Sequence, residues 1–183
     1  MSYIYPVKRV LIAAPISEKF RLFLIEKEFE LCYLGEPDLD LNMLKTIVGI
    51  VTSNRLLLDQ KNLQQYPALL WIARLGSGME IIDTEYCTSH QIYVCSSPKG
   101  IANSVAEHTM GMLLSLLHRI AISNNEIIAG KWIREPNRGI ELENQTVGII
   151  GYGHTGSAVA KKLTAFTNHI LVFDKYKTGF SDT

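Results

Sequence analysis

Gly151, Gly153, Gly156 and Asp174 are the residues whose types and spacing speak most directly of chemistry. Gly151-Tyr152-Gly153-His154-Thr155-Gly156 reads G-x-G-x-x-G. The first glycine of such a string permits a tight turn, the second lets bare backbone approach a pyrophosphate, and the third lets a helix pack closely on a strand. A helix opening there offers free N–H groups and the positive end of its dipole to phosphates. Alone the string is weak, because an ordinary glycine turn has the same composition. Its setting gives it meaning. An apolar run, Thr146–Ile150, precedes it. A helical pattern, Ser157–Phe166, follows with Val159, Ala160 and Leu163 on one face. A second apolar run, Ile170–Phe173, then ends in Asp174, 18 residues beyond Gly156. A carboxylate at that strand end accepts from ribose hydroxyls. The unit is therefore expected to bind NAD, and Asp174 to favour it over NADP. Within the loop, His154 is expected to meet the pyrophosphate through its backbone, beside Thr155.

Other chemistries have less support. The chain has 183 residues, equal numbers of basic and acidic residues and no net charge. That balance gives no general attraction for nucleic acid or anionic membrane. Three cysteines, Cys32, Cys87 and Cys95, form no C-x-x-C pair, so neither a disulfide framework nor a metal site is indicated, and reduced thiols in or near a core are expected. The N-terminus lacks a secretory signal, and the longest apolar stretch, Met110–Leu117, is too short to span a bilayer. A cytoplasmic protein is expected.

The elements that must carry these residues begin with alternating strands and helices. Apolar runs at Val7–Ala14, Leu31–Leu34, Ile47–Thr52, Leu69–Leu75 and Ile92–Cys95 read as strands. Ser17–Glu30, Asp40–Thr46, Asp59–Gln65 and Asp83–Ser89 read as helical, with Ser17 at an N-cap. Continuous apolar strands between helices imply a parallel sheet covered on both faces, a doubly wound, flavodoxin-like α/β domain over residues 1–102. Residues 103–145 are expected to form one long helix, Asn103 to about Gly130, and then a polar linker. Two sets of apolar positions on that helix, Ala106/Met110/Leu113/Leu117/Ile120 and Val105/Met112/Leu116, imply burial on more than one side, between domains or against a second copy of the chain. Residues 146–183 begin the dinucleotide-binding domain. A doubly wound cofactor domain has about six strands, so the chain is expected to be incomplete.

Four motifs in order resemble those of the D-isomer-specific 2-hydroxyacid dehydrogenases, the phosphoglycerate dehydrogenase-like group among them. Arg74-Leu75-Gly76-Ser77-Gly78-Met79-Glu80-Ile81-Ile82-Asp83 is similar to R-x-G-x-G-x-D-N-I-D. Ser97-Pro98 with Asn103-Ser104-Val105-Ala106-Glu107-His108 is similar to N-x-P…S-V-A-E-H. Gly130-Lys131-Trp132 resembles G-x-W, and Glu141 to Gly153 resembles E-L-x-x-K-T-x-G-I-I-G-x-G. The resemblance covers nearly the whole chain. It implies an NAD-dependent oxidoreductase acting on the CH–OH group of a small 2-hydroxy or 2-oxo acid, bound in a cleft between the domains; a homodimer through the long helix Asn103–Gly130 and the Lys131–Asn144 arm is expected from the apolar excess on that helix. The resemblance also implies that the backbone at Ser77 and Gly78 holds the acid's carboxylate, that Ser104 and Val105 border the nicotinamide, and that the catalytic arginine, glutamate and histidine lie beyond Thr183, so none is assigned here. Arg74 is either a substrate-anion contact or a strand-end arginine in a surface salt bridge. His108 reads as a packed histidine. Two departures stand out. Glu80-Ile81 replaces D-N, and Thr52-Ser53-Asn54-Arg55 offers one displaced arginine where phosphoglycerate dehydrogenases often carry R-S-R-T, which weakens the case for a phosphorylated substrate. A rival reading on the same fold is a non-catalytic, NAD-sensing, corepressor-like dimer.

Overall fold

The computed structural model describes residues 7–37 and 39–179. The chain divides into two compact units, Met1–Ser97 and Pro98–Thr183.

In the first unit, strands β1 (Arg9–Ala13), β2 (Glu30–Tyr33), β3 (Ile47–Thr52), β4 (Trp71–Arg74) and β5 (Tyr93–Ser96) alternate with helices α1 (Glu18–Glu26), α2 (Leu41–Leu44), α3 (Gln60–Leu63) and α4 (Thr84–Ser89). The strands form a five-stranded parallel sheet in the order β2-β1-β3-β4-β5. Period-two alternation divides their side chains between two cores. Leu11, Ile50 and Ile72 pack with Leu58, Leu63 and Cys87 on one face, and Val10, Ile12 and Val51 pack with Leu24 on the other. Both faces are dry, which is why the strands read as continuous apolar runs. Each helix starts on a side chain that accepts a free first-turn N–H: Ser17 from Phe20, Asp40 from Asn42 and Met43, Asp59 from Asn62, and Asp83 from Tyr86. Cys32 and Cys87 are buried in this sheet's core, and burial pushes both thiols up, away from the reactive thiolate. Cys95 is exposed, against the expectation of a core or near-core thiol, because it shares the uncovered side of β5 with Tyr93, which is 70% exposed.

The second unit departs from the expected single helix. Helix α5 (Pro98–Leu117) begins five residues before Asn103, on a proline whose missing N–H costs nothing at a first helical position. The helix then stops, and α6 (Ile120–Ile128) starts after Arg119 adopts a left-handed conformation, φ +52°. The following polar segment explains the break. The Ile140 N–H donates to Leu117 O at 3.0 Å, so returning chain satisfies a carbonyl that a continuous helix would have paired, and Arg119 Nε ties the same segment by donating to Asn137 Oδ1 at 3.1 Å. Gly139 permits this approach, since a Cβ there would lie 2.6 Å from His118 Nδ1. The expected linker also contains a short 3-10 turn, Glu135–Asn137.

Strands β6 (Val147–Ile150) and β7 (Ile170–Phe173) then pair in parallel around helix α7 (His154–Leu163). One face of this pair packs on Met110, Leu142 and Leu163. On the other face Ile150, Leu171 and Phe173 are 90%, 65% and 63% exposed. Among the described residues no helix is long and apolar enough to cross a membrane.

Candidate functional site

The glycine loop joins the end of β6 to the start of α7. Gly151 takes φ +94°, a conformation costly for any residue with a Cβ, and its N–H donates to Phe173 O at 2.7 Å. The loop thus turns at the carboxyl end of the parallel pair. At Gly156 a Cβ would sit 2.0 Å from Gly151 O and 3.4 Å from Ile149 Cγ2. Helix and strand are packed too closely for any other residue. A Cβ on Gly153 would meet nothing within 4 Å. Gly153 is also the N-cap of α7 and supplies no side-chain cap. Among the described residues the first-turn N–H groups therefore have neither an intrahelical nor a capping partner. His154 begins the helix, three residues earlier than the sequence pattern placed it, with Thr155 and Gly156 in its first turn. A bare loop backbone, a free helix N-terminus and open space at Gly153 are what a dinucleotide pyrophosphate requires, so the residues present fit the group.

Asp174 stands at the end of β7 and is bound to the loop itself. Its Oδ2 accepts from the Tyr152 N–H at 2.6 Å, and its Oδ1 from the N–H groups of Tyr176 and Lys177 at 2.8 and 3.1 Å. The Tyr176 and Tyr152 N–H groups, with those of Lys177 and its charge, hold the carboxyl below its ordinary value. Lys177 Nζ donates to Tyr152 O at 2.7 Å. Gly151, Gly153, His154, Thr155, Gly156 and Asp174 are thus one assembly. What the sequence did not reveal is that Asp174 orders the loop. Its only signal was the aspartate's place after the second strand, which reports a strand end and not a bond 22 residues back.

The other expected cofactor residues, Ser104 and Val105, lie on α5 with exposed side chains. His108 is exposed on the same helix rather than packed, because the helix turns its buried edge, Ala106 and Met110, the other way.

Arg74, Ser77 and Gly78 lie together in the first unit, at the carboxyl end of β4. The salt-bridge alternative for Arg74 fails, since the residue is 8% exposed and forms no ion pair among the described residues. Its Nη1 donates to Leu75 O at 2.9 Å, while its Nε is buried without a partner. The guanidinium lies under the loop, where a Cβ on Gly76 would be 2.4 Å from Nη1. Gly76 has φ +148°. Beyond it, the N–H groups of Ser77, Gly78, Met79 and Glu80 meet no acceptor among the described residues. Successive free N–H groups over a buried cation make a concavity suited to an anion. The resemblance of the motif pointed to Ser77 and Gly78, whereas the free N–H groups of Met79 and Glu80 depend on the loop's path.

Comparison with known proteins agrees with this geometry. Residues 110–182 match the NAD-binding domain of the D-isomer specific 2-hydroxyacid dehydrogenases. A D-3-phosphoglycerate dehydrogenase of Bacillus subtilis is 30% identical over 171 residues, 93% of this chain and 32% of its own length. The chain thus spans about a third of that relative. The structure of an Aquifex aeolicus D-lactate dehydrogenase, complexed with NAD and lactic acid, is 28% identical. It superposes with a TM-score of 0.78 over 93% of this chain and 52% of the other. An NADPH-dependent glyoxylate/hydroxypyruvate reductase of Sinorhizobium meliloti, in complex with NADP and malonate, is 25% identical, with a TM-score of 0.74 over 96% of this chain and 55% of the other. The glycine loop falls inside the matched cofactor domain and the relatives extend back through the Arg74 loop, so the chain is similar to the D-isomer-specific 2-hydroxyacid dehydrogenases along most of its length.

Proposed function

We propose that this chain carries the acid-binding loop and the nucleotide-binding loop of an NAD-dependent dehydrogenase acting on a small 2-hydroxy acid. The observation that carries the reading is the glycine loop: Gly156 has no room for a Cβ, Gly153 has open space around it, and Asp174 is tied to Tyr152. Bound NAD would supply the acceptor for the hydride leaving C2. The chain's own residues perform the binding steps. The α7 N-terminus and Gly153 hold the pyrophosphate, Asp174 accepts from ribose, and Ser104 and Val105 border the nicotinamide. The N–H groups of Ser77 and Gly78, over the Arg74 guanidinium, hold the acid's carboxylate, fixing one end of the molecule so that C2 has a single orientation. Removal of the hydroxyl proton requires a base, and no residue of this chain is assigned to it.

The test is calorimetry of NAD binding to wild type and Gly153→Ala, with turnover assays on glycerate, lactate, glyoxylate, hydroxypyruvate and 3-phosphoglycerate. NAD binding lost in the variant, with turnover of one of these acids by the wild-type protein, is the expected result. NAD binding without any turnover favours the sensor reading, and no NAD binding refutes both.

A homodimer is supported by apolar side chains exposed on α5 and α6 and just beyond them: Leu116, Ile128 and Trp132 are 75%, 77% and 81% exposed. Burying a large side chain of this kind contributes about 1.5–3 kcal/mol. A monomer by light scattering at micromolar concentration would refute the dimer.

A further inference from the structure

Glu80 departs from the family's D-N pattern, and its position in the structure is informative. An ideal Cβ on Gly78 would lie 2.2 and 2.6 Å from the two carboxylate oxygens of Glu80. The carboxylate is therefore laid flat against the Gly78 Cα, at the loop whose Ser77, Gly78, Met79 and Glu80 N–H groups have no acceptor. It forms no hydrogen bond or ion pair with any described side chain. Glu80 is exposed and leads a turn closed by the Ile82 N–H on Met79 O at 2.9 Å, so rotation of its side chain displaces no packed neighbour.

We propose that Glu80 sets acid specificity by holding its carboxylate against Gly78, beside the loop's free N–H groups, so that an incoming acid must push it aside. The inference rests on the reading of the Arg74–Glu80 loop as the carboxylate site. Two carboxylates cannot share it at low cost. With Glu80 at Gly78, a bound acid brings a second negative charge within contact distance, and water at the exposed rim screens the repulsion only in part. The acid binds when Glu80 swings outward, and the free N–H groups then turn to the ligand. A substrate with a further negative charge next to its carboxylate is penalised most, because the displaced Glu80 stays tethered within a few bonds of the site. This residue therefore favours monoanionic 2-hydroxy acids over those with a second acidic group.

The experiment is an amide-resolved NMR titration of the chain with glycolate, at ionic strength matched by sodium chloride, for wild type, Glu80→Gln and Glu80→Ala. Malonate serves as a dianionic probe. The expected result is saturable movement of the Gly76, Ser77 and Gly78 amide signals. Both variants should bind glycolate about ten-fold more tightly, the equivalent of about 1.4 kcal/mol, with a larger gain for malonate. Equal glycolate affinity in wild type and both variants overturns the role of Glu80 and leaves the carboxylate site standing. No movement of the loop amides in any of the three proteins overturns both. Thermal midpoints unchanged from wild type confirm that the variants fold, as expected for an exposed side chain.

Discussion

The two units each contain parallel strands, yet they meet water differently. In the first, the inner strands β1 and β3 are covered on both faces, and Leu11, Ile50, Ile72 and Val10 are fully buried. In the second, two strands are covered on one face by α5 and α7, and the other face presents Ile150, Leu171 and Phe173. Strand composition barely differs between them. A run such as Ile47–Thr52 and a run such as Ile170–Phe173 are equally apolar, so burial is decided by what packs on a strand and not by its residues. The acid-binding loop therefore stands on a strand fixed from both sides, and the nucleotide loop on a pair fixed from one. Local opening is expected to be easier where one face is uncovered.

Substitutions sharpen this comparison, the core of the first sheet giving the largest expected effect. Ile72→Ala should destabilise by about 2–5 kcal/mol, as for other deletions of a fully buried branched side chain. Chemical denaturation monitored by circular dichroism reads the loss. Gly156→Ala comes next. Its Cβ would strike Gly151 O, a backbone atom that cannot rotate away, so α7 must shift at a cost of about 1–3 kcal/mol, and NAD binding should vanish. Gly153→Ala is the companion: it should change stability by less than about 0.5 kcal/mol while abolishing NAD binding, because only a ligand occupies the space around it. Equal melting temperatures for the two variants would break the assignment of Gly156 to close packing.

Asp174→Ala is expected to weaken NAD by about ten-fold, since the loop loses its tie at Tyr152 and the ribose loses an acceptor, and to weaken NADP less, since the repulsion of its 2′-phosphate goes with the carboxylate. Wild type should still prefer NAD, because a 2′-phosphate would meet the carboxylate; the dissociation constants of both cofactors measure this. The Asp174 carboxyl is held below its ordinary value of 3.8. Its contribution to loop order is therefore present above the unfolded value and is lost as pH falls through the lower folded one. The Tyr152 amide signal should stay constant from neutral pH down to the carboxylate range and move only below it. An amide that titrates near neutrality would contradict the bond.

The smallest effect is expected at the uncovered face. Leu171→Thr should alter stability by less than about 0.5 kcal/mol in this chain, against the large cost at Ile72. A loss as large as that at Ile72 would show that the face is buried in solution, and would end the contrast between the two sheets.

Period and punctuation in the sequence determined the element types, several boundaries, the N-caps and the glycine loop. These rest on local rules: side chains alternate along a strand, a carboxylate or hydroxyl caps the N–H groups beside it, and only glycine turns freely. β3 and β7 match their apolar runs residue for residue for that reason. Tertiary structure alone decided the rest. The break between α5 and α6 depends on Ile140 and Asn137 returning to Leu117 and Arg119, and a helical pattern in the sequence carries no mark of a distant donor. The burial of Arg74, the tie from Asp174 to Tyr152 and the approach of Glu80 to Gly78 are likewise positions in space. A charge in a sequence looks the same at a surface or under a loop, and only the folded chain determines how far water is kept from it.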